Sequence, residues 1–285
     1  MPEFVTVDPG GRRLAGLHYP PANRDSGVAV LHLHGKGGNF YTGPGRRLPE
    51  HDRDGEFGHL AVNMRCHDLG YTDYEAPMVD ARSGSVEVAG GMWEDLDAGD
   101  LDIRAAVDWL TDRGYTRVVL SGHSSGGYYV ARYCADPANL AGAPIAARVL
   151  LSPVLSHRTH LDAGWFADAA ARERAEAEAR RLVAAGDGHR LIPIGYWYHA
   201  ISAAALLQRV SEAPDIVETL LAASDLPLLM VGGARESRLP CWRDVYRRST
   251  VERKEFVVVP DAEHNYLGAE ATLFHRLASF VRRAA

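Results

Sequence analysis

The ten residues Val118-Val-Leu-Ser-Gly-His-Ser-Ser-Gly-Gly127 limit what this chain can become more than any other stretch. Residues 118–120 are β-branched or apolar and read as a buried strand, while 128–134 have helical spacing. Between them the chain must pass from strand to helix in a few residues. The two backbones then lie so close that a Cβ at Gly122 or Gly126 would collide. Gly122-His-Ser-Ser-Gly126 fits the pattern G-x-S-x-G, a sharp strand-to-helix turn that lifts a serine clear of the backbone at the end of a sheet. The helix start behind Ser124 offers unpaired N–H groups and a favourable dipole to any negative charge that develops there.

A pattern of alternating strands and helices surrounds this turn. Residues 4–7 and 13–19 read as two strands joined by the turn Asp8-Pro-Gly-Gly11. Further apolar strands are expected at 28–34, 60–64, 147–151, 226–232 and 255–259. Helices are expected around 46–51, over 94–113, and at the end over 270–283. Residues 71–91 form a long irregular stretch, of a length that often borders a functional site. From 156 to 225 no strand-like run occurs, and helices are expected over 167–185, 201–210 and 216–223. Strand–helix alternation from residue 28 onward predicts an α/β fold with one mostly parallel sheet covered on both faces. In this reading residues 1–155 and 226–285 are the core, and 156–225 are a helical cap inserted over it.

The strand at 28–34 runs into His34-Gly35-Lys36-Gly37-Gly38, a loop of small residues that lets backbone approach a ligand. An acyl-transfer site needs two donors for an oxyanion. The N–H of Ser125, next after the serine, and the N–H of Lys36 are the candidates, with Gly35 lining the substrate. The Lys36 side chain is read as solvated rather than as a partner for a substrate carboxylate. His32 and His34 share a strand face, but no third ligand follows at convincing spacing, and no metal is expected. The aromatic run at Tyr196 and Trp197, and His123 beside the serine, are candidates for touching the substrate.

A serine hydroxyl needs a base beside it, and the base needs an acid behind it. His264 lies in the loop after the last predicted strand, and Glu236 lies three residues past Gly233, at the end of the preceding one. Both are positions at the carboxyl edge of such a sheet. Asp261 and Asp225 are lesser candidates for the acid. With Ser124 in its turn, His34-Gly35, Glu236 and His264 in this chain order, the sequence resembles the α/β-hydrolase superfamily over nearly its whole length. The resemblance implies a triad of Ser124, His264 and Glu236, with Glu where Asp is more frequent, and the stretch 156–225 as the family's cap. Residues 35–40, 122–126, Leu150-Leu-Ser-Pro-Val-Leu-Ser-His157 and Ser202-Ala203 are also similar to a branch that includes siderophore-ester hydrolases.

These readings imply a serine hydrolase without a cofactor, acting on an ester, thioester or related acyl bond of a small molecule, in natural-product metabolism as one setting. The alternatives are an acyltransferase or cyclase using the same triad, and a non-catalytic ligand-binding member of the fold. The net charge of −6 points away from nucleic acid and anionic membranes as partners. No apolar run approaches membrane-spanning length. The first residues lack the pattern of a signal peptide, and the three cysteines, Cys66, Cys134 and Cys241, are widely spaced, so a cytoplasmic location is expected. A homodimer is compatible with the sequence.

Overall fold

The computed structural model describes residues 1–23, 26–72, 88–162, 164–195 and 199–285. Strands β1 (Glu3–Val7), β2 (Leu14–Tyr19), β3 (Val28–Leu33), β4 (Gly58–Val62), β5 (Arg117–His123), β6 (Ile145–Leu151), β7 (Leu228–Gly233) and β8 (Lys254–Val259) pair into one eight-stranded sheet, in the order β1-β2-β4-β3-β5-β6-β7-β8. Only β2 runs against the others among these strands. All six residues of β3 are buried, as a central parallel strand requires. Its side chains alternate between two cores. Ala29, Leu31 and Leu33 pack with the helices Gly99–Asp112 and Ser125–Ala135. Val28 and Val30 share a core with Leu273, Leu277 and Val281 of the last helix, Glu270–Ala284. The α/β architecture with both faces covered is therefore as expected, and β3, β5, β6, β7 and β8 all end on one edge of the sheet.

Several boundaries differ from the sequence reading. The helix expected over 94–113 begins only at Gly99, and a 3-10 turn, Gly91–Trp93, precedes it. Glu94 is thereby left outside the helix and fully buried. Around 46–51 there is a short helix, Gly43–Arg47, followed by the 3-10 turn Leu48–His51. Most of the irregular stretch, 73–87, lies outside the described residues, but Tyr71–Thr72 pairs antiparallel with Val88–Ala89.

Between β6 and β7 the chain builds a separate layer. The helices His157–Asp162, Ala169–Ala184 and Ala203–Ser211 share a small apolar core of their own, which includes Trp165, Leu182, Ile201 and Leu206. Asp168 and Ser202 cap two of these helices, accepting from Ala171 N (2.7 Å) and Ala205 N (3.2 Å). Against the expectation of no strand here, Leu191–Pro193 pairs antiparallel with Ala200–Ser202. Three residues are too few to show a period-two pattern, so this ribbon left no sequence signal. The helix Ile216–Ala222 was expected within the cap, yet its Val217 and Leu221 belong to the main core.

Candidate active site

The turn at Ser124 shows why its flanking residues are glycines. A Cβ on Gly122 would lie 2.1 Å from the Gly126 carbonyl oxygen, and one on Gly126 would lie 2.5 Å from that of Leu33. Ser124 itself sits at φ 57°, ψ −119°, a region L-residues avoid. Hydrogen bonds hold it there. Its N–H donates to Leu151 O (2.9 Å), and its carbonyl accepts from Gly127 N and Val154 N (both 3.0 Å). Ser125 is the first residue of the helix Ser125–Ala135, so its N–H has no acceptor one turn back.

The loop after β3 comes up against this turn. A Cβ on Gly35 would lie 2.9 Å from Ser124 Cβ and 3.4 Å from Ser124 Oγ, so only glycine permits the approach. The His34 ring fixes the loop by using both nitrogens: Nε2 accepts from Met64 N (2.9 Å), and Nδ1–H donates to Gly35 O (2.7 Å). Gly35 O also accepts from Gly38 N (2.9 Å). Because a trans peptide is planar, this directs the Lys36 N–H away from the Gly35 carbonyl. Burial keeps His34 neutral, pushing it down to about 4. His32 is engaged elsewhere, with Nε2 3.2 Å from His59 Nδ1. The two histidines therefore serve the protein's own hydrogen bonding, and no group of three candidate metal ligands lies together among the described residues.

Glu236 and His264 meet in the loops after β7 and β8. His264 Nδ1 lies 2.8 Å from Glu236 Oε1. The other carboxylate oxygen, Oε2, accepts from Gly233 N (2.8 Å) and from Ser152 Oγ (2.5 Å). Ser152 has one proton, which goes to the carboxylate, so the single Tyr266 hydroxyl proton is shared between Ser152 Oγ at 2.7 Å and Val231 O at 3.2 Å. Ser152 adopts φ 44°, a strained conformation that brings its hydroxyl to the glutamate. Neither Ser152 nor Tyr266 stood out in the sequence; only the Ser152-Pro153 step at the end of a strand hinted at a turn. Of the lesser acid candidates, Asp261 is exposed and lies 3.6 Å from Arg235, while Asp225 lines a different depression from the one that His264 lines.

His123, a candidate for substrate contact, has a structural task. Its Nε2–H donates to the backbone carbonyl of His264 (2.7 Å), and the two rings lie 4.7 Å apart. Burial, and then the neighbouring His264, push His123 down to about 3, so its ring is neutral and holds the loop that carries His264. The Lys36 side chain also differs from its expectation. It is buried, with Nζ 3.4 Å from Glu94 Oε2 and 5.0 Å from the Trp165 ring. Burial and the charge of Arg209 push its ammonium down. Glu94 also receives Arg209 from the helix Ala203–Ser211 and the hydroxyl of Tyr129 (2.9 Å). Burial opposes the Glu94 charge, but the two cations outweigh it and hold the carboxyl down at about 2.

Gly35, Lys36, His123, Ser124, Ser125, Glu236 and His264 all line one cavity of about 900 Å³ at the carboxyl edge of the sheet, which Trp165 and His160 of the inserted layer also border. Tyr196 and Trp197 lie outside the described residues. No helix among the described residues is long and apolar enough to cross a membrane.

A family model described as the alpha/beta hydrolase family matches residues 30–276. No curated protein matches. Among solved structures, Est1E from Butyrivibrio proteoclasticus with ferulic acid bound is similar at a TM-score of 0.70 and 15% identity, covering 98% of both chains. An esterase of Pyrococcus furiosus is similar at 0.61 and 18%, covering 100% of this chain and 91% of the other. Proline iminopeptidase from Mycobacterium smegmatis is similar at 0.61 and 14%, covering 99% and 98%. At these identities the likenesses speak to the fold.

Proposed function

The chain belongs to the alpha/beta hydrolase family, and we propose that it is a serine hydrolase that cleaves an ester, thioester or related acyl bond of a small molecule through an acyl-enzyme on Ser124. The observation that carries this reading is the His264 Nδ1–Glu236 Oε1 contact of 2.8 Å, set in the same cavity as a serine held at φ 57°. With Nδ1 engaged by the carboxylate, Nε2 is the ring nitrogen available to the serine. Ser124 Oγ attacks the carbonyl as His264 takes its proton, and Glu236 orients the ring and stabilises the imidazolium. The Ser125 and Lys36 N–H groups receive the oxyanion. His264 then returns the proton to the leaving group, and a water activated by the same ring releases the acid. No step of this scheme requires a cofactor.

Labelling with a fluorophosphonate probe, wild type beside Ser124→Ala, tests the reading. Labelling and ester turnover should both disappear in the variant, with turnover falling by about a thousandfold or more. A variant that labels and turns over like the wild type would refute it. Identification of the product separates hydrolysis from transfer: the free acid supports hydrolysis, whereas an acylated acceptor or a ring-closed product would assign an acyltransferase or cyclase.

A further inference from the structure

Three of the four cationic side chains that line the cavity are met by acids of the protein itself. Among the described residues the charged lining comprises Lys36, Arg47, Arg235, Arg238, Glu236 and Glu263. Glu236 is committed to His264, Ser152 and Gly233, and Glu263 is exposed. Three of the cations are also engaged. Arg47 contacts Glu270 (2.8 Å) and Asn265 O (2.8 Å), Arg235 faces Asp261, and Lys36 faces Glu94. Arg238 differs. It is half-buried at the start of the helix Leu239–Arg248, two residues past Glu236, and among the described residues its guanidinium makes no ion pair or hydrogen bond. His160 of the inserted layer lines the same cavity.

We propose that Arg238 forms an anion subsite, so that the ester taken by Ser124 carries a carboxylate on its acyl part. This rests on the hydrolase reading above and adds the class of substrate to it. A half-buried guanidinium with no partner among the described residues, lining the cavity that holds Ser124, favours a ligand that supplies negative charge, and its planar fork suits a carboxylate. Electrostatics at His160 agree with the placement. Burial first, and then the charge of Arg238, push that ring down to about 3, with His157, Lys36 and Arg209 acting in the same direction. His160 is therefore neutral at pH 7.

The test compares the mono(4-nitrophenyl) ester of glutaric acid with its methyl ester, which differ only in the distal carboxylate. The wild type should prefer the acid by about tenfold or more in kcat/KM at low salt, the range of a charge-assisted hydrogen bond. That ratio should collapse in Arg238→Gln and recover in part in Arg238→Lys. A ratio near one in the wild type, or one unmoved by Arg238→Gln, overturns the subsite. A second measurement does not depend on turnover. Calorimetric binding of glutarate against glutaramide to the Ser124→Ala protein should favour glutarate, and the preference should vanish when Arg238→Gln is added. Equal or absent binding overturns the subsite but leaves the hydrolase reading standing, whereas that reading fails on its own if Ser124→Ala still turns over esters.

Discussion

Mild acid should destabilise this protein, and His123 allows the effect to be worked out. Its ring is 8% exposed and its Nε2–H is bonded to His264 O, and burial puts it at about 3 against 6.5 when exposed. Between those values the unfolded chain binds a proton that the folded chain refuses, so stability falls as pH drops through 6.5 and stops falling near 3. From pH 7 the loss attributable to this one ring is about 0.7 kcal/mol by pH 6 and about 2 kcal/mol by pH 5. That is a substantial part of a typical total of about 5–15 kcal/mol. Carboxylates contribute little above pH 5, because their unfolded values lie lower. His32, also buried and pushed down by burial, acts in the same direction. Urea unfolding followed by circular dichroism at pH 7, 6 and 5 reads the slope, and His123→Gln isolates the residue, since the amide can still donate to His264 O but does not titrate. The wild type should lose about 2 kcal/mol more than the variant between pH 7 and pH 5. An identical pH dependence in the two proteins would refute the argument.

Two further substitutions probe the turn and the acid. Ser152→Ala removes one of the two donors on Glu236 Oε2, leaving Gly233 N alone; kcat/KM should fall by about ten- to a hundredfold, the range of a hydrogen bond to a charged group, in steady-state kinetics on an activated ester. Gly122→Ala forces a Cβ to within 2.1 Å of a backbone oxygen that cannot rotate away, and chemical denaturation should show a loss of about 3 kcal/mol or failure to fold.

What the sequence disclosed, and what it hid, follows from the range of the interactions. Gly122, Ser124 and Gly126 were legible because their steric demands are local: the close approaches lie within a turn or against the adjacent strand. Glu236 and His264 were legible because each follows an apolar strand, which fixes the end of the sheet at which it emerges. The partners of Glu236 were not. Ser152 is 84 residues away, and Tyr266 reaches Ser152 across 114. Glu94 was read as the start of an amphipathic helix, because an acidic residue before an apolar stripe is an ordinary helix start. Nothing in its neighbourhood shows that its charge is met by Arg209, 115 residues on. The burial of Lys36 was missed for the same reason.

That buried cluster bears on how the site is held. Glu94 gathers Lys36 from the loop beside Ser124, Tyr129 from the helix behind Ser124, and Arg209 from the inserted layer. Buried ion groups of this kind add little net stability over apolar packing, so stability alone is a weak reason to have one. Their contacts are directional, however, and apolar packing is not. Three elements that meet at one carboxylate have one mutual placement that satisfies it, and any slip of the layer over the core would leave a charge buried without its partner. The Lys36 backbone, whose N–H we propose receives the oxyanion, is thus tied through its own side chain to the position of the inserted layer. In this protein the loop beside Ser124 and the inserted layer are held by the same group.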